Sequence, residues 1–140
     1  MALTLLDTDV LIRLRTDDPL LGVAAREVLA ELFDSQLLAV SPASFNEVSR
    51  LVERGVIELT VPVLDWCRRC LDGGIRLMPL SVEIVAAAPW LKRRGFQGDP
   101  FDQLIVATAV NQGCGLATTD RSIISWADQS GELTVLNARA

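Results

Sequence analysis

Short apolar runs alternate with amphipathic stretches along the whole chain. LTLLD (3–7), QLLAVS (36–41), IRLMPLS (75–81), GLATTD (115–120) and LTVLN (133–137) are largely apolar, which predicts five strands buried on both faces. Between them, apolar positions recur with helical spacing over Val10–Arg15, Leu20–Phe33, Ala43–Arg54, Val61–Leu71, Val82–Arg93 and Phe101–Gln112, with a short stretch over Ser122–Ala127. Gly55, Gly73, Gly95 and Gly113 mark helix stops. Strands alternating with helices predict an α/β fold: a mostly parallel sheet with helices on both faces, as one domain over residues 1–140. Ligands of such folds sit beyond the carboxyl ends of the strands, where strand order reverses. Functional side chains are therefore expected at strand ends or in the first turn of the next helix.

Four acids meet that expectation. Asp7 ends the first apolar run, although Leu5, Leu6, Val10, Leu11 and Ile12 around it all read as buried. A carboxylate there needs a partner, either a helix N-terminus or a cation. Asp120 closes GLATTD in the same way, and a helix cap accounts for each acid taken alone. In GDPFDQLIVATAV, Asp99 followed by Pro100 is a helix start, and Asp102 falls at the third helical position. Asp102 also lies above Ile105, Val106 and Ala109, on the apolar side of the helix. Glu47 either closes a capping box with Ser44 or, if Pro42 opens the helix, stands in the second turn beside Val48 and Leu51.

Asp7, Glu47, Asp102 and Asp120 could thus converge on one edge of the sheet. Carboxylates in close contact repel by about 4 kcal/mol per pair at an effective dielectric near 20. A divalent cation removes that repulsion, and all-oxygen ligands select Mg²⁺ or Mn²⁺.

Composition narrows the chemistry further. The chain has no histidine, which excludes Ser-His-Asp and Cys-His catalysis, His-ligated zinc and paired-histidine ribonucleases. Acids outnumber bases by 18 to 13, so any nucleic-acid contact must be a local patch. Cys67 and Cys70 form a C-x-x-C pair late in a helical stretch, with Cys114 as the third thiol. Redox and zinc motifs sit elsewhere or need more ligands, so these read as core thiols. No apolar run approaches the length of a membrane span, and no signal-peptide pattern opens the chain, which makes a cytoplasmic protein the expectation. The many apolar helical faces predict a homodimer.

LLDTDVLI, SPASFNEV, DPFDQLIVATA and LATTD, in this order and at this spacing, resemble the PIN-domain nucleases, most closely the VapC-type toxins of toxin–antitoxin pairs. The resemblance runs over essentially the whole chain. It implies sheet order 3-2-1-4-5, a Mg²⁺- or Mn²⁺-dependent endoribonuclease hydrolysing RNA phosphodiesters, and a small cognate antitoxin as partner. Matched by motif, it gives Asp7, Glu47, Asp102 and Asp120 the metal site. It places Thr8 and Thr118 beside them to orient carboxylates, and makes Asp99 a cap or an auxiliary acid. Asp9 stands where relatives vary. Lys92, Arg93, Arg94, Arg121 and Arg13 are candidates to hold RNA phosphates, or are ordinary solvated helix ends.

Two other readings compete. DTDVL also fits the opening motif of haloacid-dehalogenase-type phosphatases, with Asp7 as nucleophile and Asp9 as acid/base, but GDPFD does not follow a strand as their late acidic motif does. A catalytically silent PIN-like module that only binds RNA or protein would have no need of all four acids.

Overall fold

Strand β1 (Thr4–Leu6) lies at the centre of the molecule, and its alternating side chains divide the interior in two. Leu5 points into one apolar cluster and Leu6 into the other, and both are fully buried. The structure, a computed structural model, describes residues 2–140. The remaining strands are β2 (Leu38–Val40), β3 (Arg76–Leu77), β4 (Gly115–Thr118) and β5 (Val135–Asn137). All pairings are parallel and the order is β3-β2-β1-β4-β5. This is the order the resemblance implies. The order reverses between β2 and β4 on either side of β1, so the carboxyl end of β1 is the expected ligand edge.

Helices α1 (Thr8–Arg15), α2 (Val23–Asp34) and α4 (Val63–Asp72) bury Val10, Leu11, Leu29, Leu32 and Cys70 in the Leu6 cluster. On the Leu5 side lie α5 (Val82–Ala87), α6 (Pro100–Gln112) and α7 (Arg121–Ser130), which contribute Ile84, Ile105, Val106 and Ile123. α3 (Pro42–Glu53) borders both clusters through Ala43 and Val48. Five consecutive residues of α6, Ile105 to Ala109, are buried, so this helix is enclosed rather than merely resting on the sheet. Among the described residues no helix is long and apolar enough to cross a membrane.

Several elements differ from the sequence pattern, among them β5, which is half-buried to exposed rather than buried on both faces, and α7, which runs beyond the expected Ser122–Ala127. The expected helix Val82–Arg93 ends as α-helix at Ala87 and continues as a 3-10 helix over Ala88–Arg94. Pro89 has no N–H to offer the carbonyl one turn earlier, and the tighter winding avoids that loss. Gly95, at φ +90°, then reverses the chain, and the Trp126 indole N–H donates to the Arg94 carbonyl at 2.9 Å. The helix expected from Leu20 starts only at Val23, because Leu20 to Gly22 belong to the preceding turn, where Asp18 accepts from the Leu20 N–H at 2.9 Å. The third strand shrinks to two exposed residues, since it lies on the sheet edge and Pro79 cannot extend the ladder.

Leu5→Ala removes a fully buried side chain from the central strand and should cost about 2–5 kcal/mol, read as a lower urea midpoint at unchanged slope. A loss under about 1 kcal/mol would mean that β1 is not the packing centre.

Candidate active site

Asp7 immediately follows β1 and is only 6 % exposed. It caps α1: one carboxylate oxygen accepts the Thr8 N–H at 2.9 Å. The other accepts the Thr118 hydroxyl at 2.7 Å, across the β1–β4 pairing. The helix N-terminus is therefore one partner of this buried acid and a hydroxyl from the neighbouring strand is the other. They do not fully offset burial, which pushes Asp7 from 3.8 up to about 6. The Thr118 and Thr8 hydrogen bonds oppose that rise, and the negative charges of Glu47 and Asp120 add to it.

Thr118 links two of the acids. Its Oγ donates to Asp7 and accepts the Asp120 N–H at 3.0 Å. Asp120 in turn caps α7, accepting from the Ser122 N–H at 2.8 Å and the Ile123 N–H at 3.4 Å. Asp102 sits in the first turn of α6 in a capping box with Asp99: the Asp102 N–H donates to Asp99 at 2.8 Å, and the Asp99 N–H to Asp102 at 3.4 Å. Burial, then the charges of Asp99, Asp7 and Asp120, raise Asp102 from 3.8 to about 7. The alternatives for Glu47 resolve at Ser41, which caps α3 by accepting the Ala43 N–H at 3.0 Å, with Pro42 at the first helical position. Glu47 therefore stands in the second turn, and the Ser44–Glu47 capping box does not form. Ser44 instead accepts the Thr8 hydroxyl at 2.9 Å. Burial raises Glu47, the charges of Asp99 and Asp9 reinforce the effect, and the nearby Thr8 hydroxyl opposes it.

All four acids line one cleft of about 510 Å³ at the carboxyl edge of the sheet. They share it without closing into a coordination sphere: among the described residues no three His, Cys, Asp or Glu side chains stand close enough together to hold an ion as placed. Every donor they offer is a carboxylate oxygen, which suits a hard divalent cation, and the raised proton affinities come first from burial and then from neighbouring negative charge, both of which such a cation would offset. Asp9 also reaches the cleft but is engaged, pairing with Arg13 at 3.3 Å and accepting the Thr119 hydroxyl at 2.6 Å. It is not the unencumbered acid/base that a phosphatase of the haloacid-dehalogenase type requires. Asp99 lies just outside, in a neighbouring groove with Glu47, Arg50 and Arg54.

Of the five basic candidates, Arg13 and Arg121 line the cleft. Lys92, Arg93 and Arg94 do not. They belong to the 3-10 helix, where Arg93 stacks over Trp90 at 4.7 Å and Arg94 pairs with Glu132. Sequence reasoning passed over Thr119 and Arg139, and read Ser44 only as a capping residue rather than as the partner of Thr8. Thr119 directly follows a chosen hydroxyl in the TTD triplet, whereas Arg139 stands two residues beyond β5 and comes to the cleft only because β5 pairs with β4. The three cysteines are buried and unpaired, and burial raises Cys70 to about 11, away from thiolate chemistry.

With this architecture and cleft, the chain belongs to the PIN domain family, which matches over residues 4–128. It is 33 % identical over 125 residues to Ribonuclease VapC22 of Mycobacterium tuberculosis (strain ATCC 25618 / H37Rv), covering 89 % of this chain and 92 % of that protein. Two solved structures share the fold. VapBC2 from Rickettsia felis, bound to a DNA fragment from its promoter, superposes with a TM-score of 0.69 at 15 % identity, over 95 % of this chain and 96 % of that one. VapBC-1 from nontypeable Haemophilus influenzae gives 0.65 at 18 % identity, over 98 % of each chain.

The raised acids set the pH dependence of stability. Asp7 near 6 and Asp102 near 7 hold protons in the fold that the unfolded chain has released above about pH 4. Stability of the metal-free protein should therefore fall as pH rises from about 4 to about 7 and level off above, with roughly 3 kcal/mol of the decline from Asp7. Melting curves across this range should show Asp7→Asn flattening the decline. Equal slopes for the two proteins would show that Asp7 ionises in the fold as readily as in the open chain.

Proposed function

We propose that this chain is a metal-dependent endoribonuclease, a PIN domain spanning residues 1–140 that hydrolyses RNA phosphodiesters as the toxin of a toxin–antitoxin pair. The observation that carries this reading is the gathering of Asp7, Glu47, Asp102 and Asp120 in one cleft of a PIN fold, with three of them raised in proton affinity. Similarity to a protein named as a ribonuclease supports it. Mg²⁺ or Mn²⁺ is the cofactor that fits oxygen-only ligands.

These four acids, which share the cleft, would hold the ion. A bound Mg²⁺ or Mn²⁺ supplies a water of lowered pKa and neutralises charge on the phosphoryl oxygens. The chain's own residues supply placement. Thr118 and the Thr8 N–H fix both oxygens of Asp7, and the capping contacts of Asp102 and Asp120 tie these acids to α6 and α7. Arg13 and Arg121 face the incoming strand from the cleft wall. A small antitoxin encoded alongside would restrain the enzyme, and the toxin would act as a homodimer. Exposed apolar side chains at Leu20, Val23, Leu64 and Val82 support surfaces for such partners.

The purified protein should cleave single-stranded RNA with Mg²⁺ or Mn²⁺ and stop on addition of EDTA. Asp7→Asn preserves the helix cap but should lower the rate on the order of a hundredfold or more, and Asp102→Asn should do likewise. Normal cleavage by Asp7→Asn, with an unaltered response of the melting temperature to Mn²⁺, would refute the metal-site assignment. Co-expression with the neighbouring small reading frame should yield a stable complex and relieve growth arrest.

A further inference from the structure

Five carboxylates line the cleft, so an RNA strand entering it meets repulsion unless cations guide its phosphates. Of the three arginines that share the lining, Arg13 is already paired with Asp9. Arg139 is different. It lies at the exposed rim, and its Nε–H donates to the Thr119 carbonyl at 2.6 Å, which leaves the two terminal nitrogens of the guanidinium for another partner. Among the described residues the ion pairs are Arg13–Asp9, Arg26–Asp17 and Arg94–Glu132, so Arg139 pairs with none of the acids beside it.

The backbone around Arg139 is fixed closely. The Ala138 N–H donates to the Thr118 carbonyl at 2.9 Å, which places Arg139 beside the strand end that also bears Thr119 and Asp120. The Asn137 side chain accepts the Arg139 N–H at 3.0 Å. From the other side, the Gly22 N–H donates to the Ala138 carbonyl at 3.0 Å and the Ala24 N–H to an Ala140 oxygen at 3.1 Å. Gly22 has an ordinary extended conformation, φ −62° and ψ 151°, so its dihedrals do not call for glycine. Space does: a Cβ there would lie 1.9 Å from the Ala140 carbonyl carbon and 2.7 Å from that of Arg139. The chain thus omits a side chain at Gly22 and seats the segment carrying Arg139 at the cleft.

We infer that Arg139 is a substrate-binding residue that takes a phosphate of the RNA strand on its terminal nitrogens, at the rim beside Thr119. The inference rests on the ribonuclease reading and extends it to a residue outside the acidic motifs. A guanidinium held through Nε presents its remaining N–H groups in a fixed plane, suited to two phosphate oxygens at once. Its bond to the Thr119 carbonyl orients the fork, and the Thr119 hydroxyl holds Asp9 on Arg13, which keeps that acid from competing for Arg139.

The test uses the full chain carrying Asp7→Asn to suppress cleavage, and a short fluorescent single-stranded RNA titrated in Mg²⁺ buffer over a series of NaCl concentrations. Adding Arg139→Gln should weaken binding about tenfold. It should also make the plot of log affinity against log salt shallower by about 0.7, the signature of one lost phosphate contact. Arg139→Lys should keep the slope and recover only part of the affinity, since an ammonium carries the charge without the fork. Gly22→Ser, which caps α2 at least as well as glycine but displaces the segment, should weaken binding in the same direction and add little to Arg139→Gln. If Arg139→Gln leaves affinity and slope unchanged, the assignment is overturned, whatever happens to the melting temperature. If the unsubstituted chain neither binds nor cleaves RNA, the ribonuclease reading fails first and this inference with it.

Discussion

The contact between the Thr118 hydroxyl and the Asp7 carboxylate ties the chemistry of this protein to its fold. It joins the ends of β1 and β4, the two neighbouring strands at the middle of the sheet, and bridges residues 111 positions apart in the chain. Because the same Oγ accepts the Asp120 N–H, a single hydroxyl sets the spacing between two acids of the cleft. The arrangement requires β1 and β4 to be parallel and in register, Leu6 opposite Ala117, with the chain leaving both strands in the same direction. A one-residue slip of that register would carry Thr118 to the other face and leave Asp7 buried with one partner.

Three acids of the cleft also serve as local structural devices. Asp7 and Asp120 cap helices, and Asp102 completes a capping box. Capping and electrostatic function are therefore not alternatives here. A helix N-terminus offers a carboxylate fixed geometry and partial positive charge, which lets several acids sit near one another in one cleft. Glu47 is the exception: it has no capping role and depends on α3 for its position.

Much of this was legible in the sequence because it is local. Apolar runs closed by an acid mark the ends of β1 and β4, and Asp99-Pro100 marks the start of α6, whereas the phase of α3, and with it the placement of Glu47, is settled only by the Ser41 cap. What escaped depends on distant neighbours. The basic stretch Lys92–Arg94 reads as an anion site in one dimension, yet Pro89 rewinds it and the packing of the 3-10 helix directs it away from the cleft. Arg139 and Gly22 carry no motif, and their relation exists only once β5 has paired with β4 and the start of α2 lies beside the segment after β5. The short β3 follows from its edge position, which a hydropathy pattern does not show.

Enclosure of α6 bears on how freely this protein can change. Asp102 stands at the head of a helix whose next turns, Ile105 to Ala109, touch the interior on every side. Ala107 borders a small void of about 130 Å³ beside Leu91 and Arg94, whereas Ala109 is fully enclosed, so added volume at Ala109 must shift the elements packed around the helix and the helix itself. A substitution two turns away can then disturb the cleft without touching it. The helix that carries one acid of the cleft is thus also among those with the least room for a larger side chain, while the exposed helical faces around it have space to spare.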